Sequence, residues 1–222
     1  MAPGLSIVVP ALNEAAGIAA ALAALAPLRE RGHEVIVVDG GSSDGTAALA
    51  QGACDRIVAA PRGRALQMNA GARAARGAGL VFLHADTRLP VDADDLVLAA
   101  LKERCWGRFD VEIEGRHPML RVIAAMMNLR SRLTGIATGD QAIFVRADAF
   151  GGFPEIALME DIAFSRAMKR RSRPACLRAR AVTSGRRWEE KGVWRTVLLM
   201  WRLRWRYWRG ESPEDLARRY AR

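Results

Sequence analysis

Residues 34–46 read EVIVVDGGSSDGT, and this stretch decides the fold. Val35 to Val38 is an apolar, mostly β-branched run, the composition of a strand buried on both faces. The run ends in an acid, Asp39. Gly40 and Gly41 then permit a turn that other residues resist, and Ser42, Ser43 or Asp44 can cap a helix beginning near Thr46. A strand that ends in an acid, a glycine turn and a helix start makes a pocket at the carboxyl edge of a sheet, where open α/β folds bind ligands. Alone, D-G-G is an ordinary strand-to-helix turn; the spaced pattern D-G-G-S-S-D-G-T is far more restrictive.

Upstream, Leu5 to Val9 (LSIVV) predicts a first buried strand closed by Pro10. Ala11 to Glu14 then lead into an alanine-rich helix to about Ala26, where Pro27 ends the pattern. Strand, helix and strand in this order imply parallel pairing through a crossover. Downstream come a helix over Thr46 to Gln51, a short strand over Arg56 to Ala59, and a loop with Arg62 and Arg64 before a helix carrying Gln67, Asn69 and Arg73. Gly79 to Leu83 predicts the fourth strand, running into His84-Ala85-Asp86-Thr87. Asp92 to Arg104 is an amphipathic helix with an acidic first turn and a basic last one, so its acids read as capping and solubility residues. Phe109 to Glu114 alternates as a half-exposed strand does. Met119 to Leu133 reads as a helix whose methionines are packing residues. Gly139 allows a bend ahead of Asp140 and Gln141, which precede a strand. Gly151-Gly152-Phe153-Pro154 comes before Glu160 and Asp161, at the start of a helix to about Arg170.

A chain of 222 residues is one domain, or one domain with an appendage. Its net charge is +10 and its pI about 10.8. Lys102, Lys169 and Lys191 are the only lysines, so the charge is nearly all arginine, suited to phosphate or an anionic surface. No nucleic-acid motif accompanies it, and nucleic acid is not an expected partner. Cys54, Cys105 and Cys176 are dispersed, which favours a reducing compartment over a zinc or disulfide framework. MAPGL leads straight into a strand without a signal-peptide pattern, and no apolar segment is long enough to span a bilayer. A cytoplasmic location is therefore expected. In the helix expected over Val193 to Trp208, Trp194, Trp201, Trp205 and Trp208 fall on one side, with Arg195, Arg202, Arg206 and Arg209 beside them. That arrangement suits peripheral attachment to the anionic inner face of a membrane, and equally a helix packed on the domain or on a homodimer mate.

Four motifs in order resemble family 2 glycosyltransferases, the GT-A enzymes that use nucleotide sugars. They are PALNE at 10–14, DGGSSDGT at 39–46, HAD at 84–86, and GGF at 151–153 followed by ED at 160–161. The wording PRGRALQMNAG, LHADT, TGDQAIFV and LMEDI is similar to a small bacterial subset labelled radical-SAM-associated, or arsenosugar biosynthesis, glycosyltransferases. The resemblance implies a GT-A α/β fold over residues 1–190, a Rossmann-like, mostly parallel sheet flanked by helices. Residues 191–222 would be a basic, Trp/Arg-rich helical appendage. It also implies that Pro10, Leu12, Glu14 and Asp39 line a nucleotide pocket, with Asp39 accepting from a uracil N–H. Arg64 would approach the base or diphosphate, and Asn69 would complete the nucleotide side by orienting its loop.

Transfer from a nucleotide sugar leaves a diphosphate whose developing charge a hard cation, Mg²⁺ or Mn²⁺, can stabilise. The family carries D-x-D for this; here His84 replaces the first acid, so Asp86 alone matches the metal position and His84 is left to ribose or phosphate. By the same resemblance Gly139, Asp140, Glu160, Arg187 and Trp188 fall on the acceptor or diphosphate side. Val182 to Trp188 would close over the donor, and Asp161 would be the base of an inverting transfer from a UDP-linked sugar to an unknown small-molecule or lipid acceptor. A dehydrogenase or nucleotidyltransferase would want a glycine-rich loop after the first strand, and PALNE is not one. The alternative is a non-catalytic nucleotide-binding or membrane-surface module of the same fold, suggested by His84.

Overall fold

The β-branched runs form the centre of the sheet in the computed structural model, which describes residues 4–220. Strand β1 (Leu5–Ala11) lies between β2 (Glu34–Asp39) and β4 (Gly79–Phe82) and is parallel to both, while β3 (Arg56–Ala59) runs parallel outside β2. Beyond β4 come β7 (Phe144–Arg146), antiparallel to it, and β6 (Trp106–Glu114), antiparallel to β7. Strand β8 (Ala175–Ser184) runs parallel to β6, and β5 (Thr87–Arg88) pairs antiparallel with β8. Among the described residues these eight strands make one sheet in the order β3-β2-β1-β4-β7-β6-β8-β5.

Period-two alternation sends neighbouring side chains to opposite faces, and both faces are covered. On one, Ile7, Val9, Val35 and Val37 meet α1 (Ile18–Glu30) through Leu22 and Leu25 and α4 (Ala93–Glu103) through Val97 and Leu101. On the other, Val8, Ile36, Val38 and Phe82 meet α3 (Arg64–Ala74) through Met68 and α6 (Glu160–Lys169) through Phe164. Between them in sequence are α2 (Thr46–Ala50) and α5 (Met119–Thr134); α7 (Arg186–Lys191), α8 (Val193–Trp208) and α9 (Pro213–Tyr220) follow β8. Helix α3 approaches closely because Gly71 has no side chain: a Cβ there would lie 2.8 Å from Val38 Cγ2.

Several expectations are corrected. Pro10 does not close β1 but sits inside it, paired with Val38. The Leu83 N–H donates to the Val8 carbonyl and the Gly40 N–H to the Ala11 carbonyl. Val8 therefore faces β4 and Ala11 faces β2, and Pro10 turns its missing donor toward the side where β4 has already ended. Pro27 does not end α1, which continues to Glu30. Both Pro27 and Ala23 are exposed, so the carbonyl that loses its partner faces water. Strand β6 begins at Trp106, three residues earlier than alternation suggested. Val182 to Ser184 is not a closing segment but the end of β8. The expected boundary at residues 190 and 191 falls inside α7, and the helices after it pack on the domain, where Leu203 and Leu216 are buried with Met159 and Ile162. Asp94 is a buried partner of Arg31 (2.6 Å) and His33 (3.0 Å) rather than a solubility residue.

Candidate active site

The carboxyl ends of β1 and β2 are laced together by the loops that follow them. The Asn13 N–H donates to Ser42 Oγ (2.9 Å) and the Ser43 N–H returns to Asn13 Oδ1 (3.0 Å). The Glu14 N–H donates to Thr46 Oγ1 (2.8 Å), and the Ala15 N–H to Asp44 Oδ2 (3.0 Å). Asp44 also accepts the Thr46 N–H (3.1 Å), so it holds the turn into α2 while tying the two loops. PALNE and DGGSSDGT, separate in sequence, are one structure. Gln67, buried in α3, closes it from beneath by donating Nε2 to the carbonyls of Ala11 (2.8 Å) and Val38 (3.0 Å).

On this platform Asp39 turns its carboxylate back to accept the Gly41 and Ser42 N–H groups, at 3.2 and 3.1 Å. Pro10 and Leu12 lie beside it, partly buried at the end of β1 and in its loop. Glu14 is held above its usual range, first by burial and then by the nearby Asp86 carboxylate. The two acids thus converge from the β1 and β4 ends. Asp86 is exposed and accepts one long hydrogen bond from Thr87 Oγ1 (3.3 Å). Among the described residues no three His, Cys, Asp or Glu side chains form a cluster able to hold a metal alone. A single open carboxylate instead fits a cation shared with a ligand's phosphates, as Mg²⁺ sites commonly are.

A second group of residues comes from the segments after β4, α5 and residues 151–159. His84 Nδ1 lies 3.3 Å from Asp140 Oδ1, and its Nε2 is buried without a hydrogen-bond partner among the described residues. The ring rests on Gly139, where a Cβ would come within 2.6 Å of His84 Cε1. Burial raises Asp140, but His84, Arg64 and Arg187 together outweigh it and hold the carboxyl below its usual range. The Gly139 N–H donates to Asp161 Oδ2 (3.2 Å). Asp161 is pushed up to about 6 by burial and then by the adjacent Glu160, while Arg64 pulls it down. Glu160 is buried and faces Arg64 Nη1 at 3.7 Å. Neighbouring acids at a helix start thus have different surroundings, one facing Arg64 and the other the Gly139 N–H.

Some expected site residues are committed elsewhere. Asn69 accepts the Phe153 N–H (2.8 Å) and donates to the Phe153 carbonyl (2.9 Å), so its amide fixes the Gly151–Phe153 turn instead of facing a nucleotide. Trp188 packs, partly buried, with the Val111, Leu120 and Val193 cluster. Arg187 does reach the site's rim, its guanidinium 4.2 Å above the Tyr220 ring of α9. Three features were missed: Gln67 as a clamp, α9 at the rim, and Arg130. Arg130, on α5, has buried Nε and Nη2 atoms with no partner among the described residues, and burial lowers its proton affinity against the pull of Asp161 and Asp140. Positive φ angles at non-glycine residues occur, among the described residues, at Asn13 (55°), Ala142 (45°) and Met159 (71°). Each is in a site loop, where such strain concentrates.

The model of glycosyl transferase family 2 matches residues 6–160. The chain belongs to this family. The match ends one residue short of Asp161, and no curated protein matches the chain by sequence. Solved GT-A glycosyltransferase structures superpose on most of it. Staphylococcus aureus TarS 1–349, in complex with UDP-GlcNAc, aligns at TM-score 0.65 and 19% identity over 81% of this chain and 58% of that one. Glucosyl-3-phosphoglycerate synthase from Mycobacterium tuberculosis, with Mn²⁺, UDP and glucosyl-3-phosphoglycerate, aligns at 0.63 and 18% over 82% and 72%. The mannosyltransferase PcManGT from Pyrobaculum calidifontis, with GDP-Man and Mn²⁺, aligns at 0.59 and 22% over 82% and 57%. This chain therefore spans little more than half the length of TarS 1–349 and of PcManGT. The fold is GT-A: α/β, a mostly parallel sheet flanked by helices.

Proposed function

We propose that this family 2 protein is an inverting glycosyltransferase that moves a sugar from a nucleotide donor, UDP-linked, to an acceptor hydroxyl held beside Asp161. The observation that carries the reading is Asp161 itself. It is a partly buried carboxyl at a helix start, anchored by Gly139 and raised to about 6. A base of that affinity is ionised at neutral pH yet accepts a proton readily. The donor's base and ribose would lie on Pro10, Leu12, Glu14 and Asp39, with Arg64 toward the diphosphate. Asp86 would hold Mn²⁺ or Mg²⁺ together with the diphosphate, and the cation would stabilise the leaving group's charge. In a single displacement the acceptor oxygen attacks the anomeric carbon from the face opposite the nucleotide, the bond to the diphosphate breaks, and Asp161 takes the acceptor's proton. The choice of UDP follows from Asp39 and from the uridine nucleotides bound in the TarS and synthase structures. The wording of residues 61–71 and 158–162 further supports the radical-SAM-associated subset, which names no sugar.

Calorimetry against UDP, GDP and ADP with Mn²⁺ or EDTA tests the donor side. UDP should bind most tightly, Mn²⁺ should strengthen it, and Asp86→Ala should erase the gain from metal without unfolding the protein. Equal affinity for all three nucleotides would overturn the uridine assignment, and equal affinity in EDTA would overturn the role of Asp86.

A further inference from the structure

Both α5 and α8 bury one side and leave the opposite side apolar. On α8, Val193, Thr196 and Leu203 are buried, while Trp194, Trp201, Trp205 and Trp208 are between 57% and 67% exposed and Leu198 is 60% exposed. On α5, Leu120, Ile123 and Ala124 are buried, while Val122, Met126, Leu129 and Leu133, at helical spacing, are 45% to 77% exposed. Isolated exposed hydrophobics are ordinary; two long stripes of them mark an interaction surface.

The two helices are neighbours. The first turns of α8 join α5 in one cluster through Val193 and Val197, with Leu120, Ile123 and Met127. Its later turns, through Leu199, Met200 and Leu203, join a cluster containing Ile136, just past the end of α5. Helix α8 therefore meets α5 at its first turns and the segment just after α5 at its later ones. Neither helix contains an acid, and each carries arginines. Arg195, Arg202 and Arg209 flank the tryptophan side of α8 and form no ion pair among the described residues, whereas Arg206 is taken by Glu211 at 2.9 Å.

We propose that the outward sides of α5 and α8 together form a docking surface for an anionic lipid bilayer. Charge complementarity selects this occupant. Indole rings settle at the water–lipid boundary, and the unpaired arginines beside them reach phosphate headgroups. A second copy seated there by a twofold axis would bring two acid-free, arginine-bearing helices against their equals, a like-charge cost that the tryptophans would have to overcome. Among the described residues no helix is long and apolar enough to cross a membrane, so contact is along the surface.

The test uses the full chain and needs no donor or acceptor. Co-sedimentation should be strong with phosphatidylglycerol-containing vesicles and weak with phosphatidylcholine alone, should fall with salt, and should shift tryptophan emission to the blue. Trp201→Ser with Trp205→Ser, and separately Met126→Ser with Leu129→Ser, should each weaken binding about tenfold or more. All four positions are exposed, and circular dichroism verifies that the variants fold. Absence of binding, equal binding to neutral vesicles, or a dimer in sedimentation equilibrium that the tryptophan pair dissolves would overturn the proposal. Binding that the Met126 and Leu129 pair leaves intact would overturn the shared two-helix surface.

Discussion

Glu160 and Asp161 are adjacent in sequence, and the contrast between them is a matter of surroundings. Residues one apart on a helix point about 100° apart, and here one carboxylate faces Arg64 while the other faces the Gly139 N–H. Under the proposed mechanism Asp161→Asn should keep UDP binding and lose transfer by about 100-fold or more, the usual worth of a positioned base. Glu160→Gln should leave a measurable rate; a normal Asp161→Asn enzyme would sink the assignment. The wild-type rate should rise with pH through about 6, where Asp161 loses its proton. Because Arg64 lowers Asp161, Arg64→Met should move that limb to higher pH. The half-exposed guanidinium is partly screened, so the move should be modest. An acid limb unchanged in both position and slope would remove Arg64 from the base's environment.

At the scale of elements, legibility followed burial. Strands β1, β2 and β4 could be read because each is centred on a short apolar run buried on both faces. Strand β8 could not: ACLRARAVTS alternates exposed arginines with small residues, since only Ala181 and Thr183 on one of its sides are buried, and reads as a basic loop. Helix α9 was missed because eight residues, half of them charged, give little apolar signal, and only Leu216 among them is buried. The nucleotide-side motifs were legible because loop chemistry fixes their spacing, whereas Gln67 and Arg130 are defined by what they reach across the fold. Element packing supplies a test of the clamp. Gln67→Leu leaves the Ala11 and Val38 carbonyls without their shared donor, at a cost of about 1–3 kcal/mol, and should weaken UDP binding as the two strand ends loosen. Gly71→Ala places a methyl against Val8 and Val38 and should cost about 1–3 kcal/mol in urea unfolding. A Gln67→Leu protein with unchanged stability and UDP affinity would dismiss the clamp.

Across the whole molecule the two ends of the sheet are built differently. The carboxyl end holds the positive-φ residues, the raised Asp161 and the unpartnered nitrogens of His84 and Arg130. The amino end is satisfied. There Ser6 Oγ donates to Glu34 (2.6 Å), the Arg76 N–H also donates to Glu34 (3.0 Å), and Arg31 and His33 converge on Asp94. This end joins the end of α1, the start of β2 and the start of α4, so its loss would open one side of the core. Burial alone would raise Asp94, but the bonds from Arg31 and His33 overcome it and bring the carboxyl down to about 2 from 3.8. A depressed carboxyl contributes stability that is fully present above its unfolded value and is lost as pH falls through the folded one. The window is therefore about pH 4 down to 2, and the amount is on the order of 2 kcal/mol for a shift of nearly two units. Asp94→Asn should be less stable by about that much at pH 7 and should show a correspondingly shallower loss of stability in acid, while leaving UDP affinity unchanged because the Asp94 cluster lies at the opposite end from the site. Parallel acid-unfolding curves for the two proteins would show that Asp94 does not anchor this end.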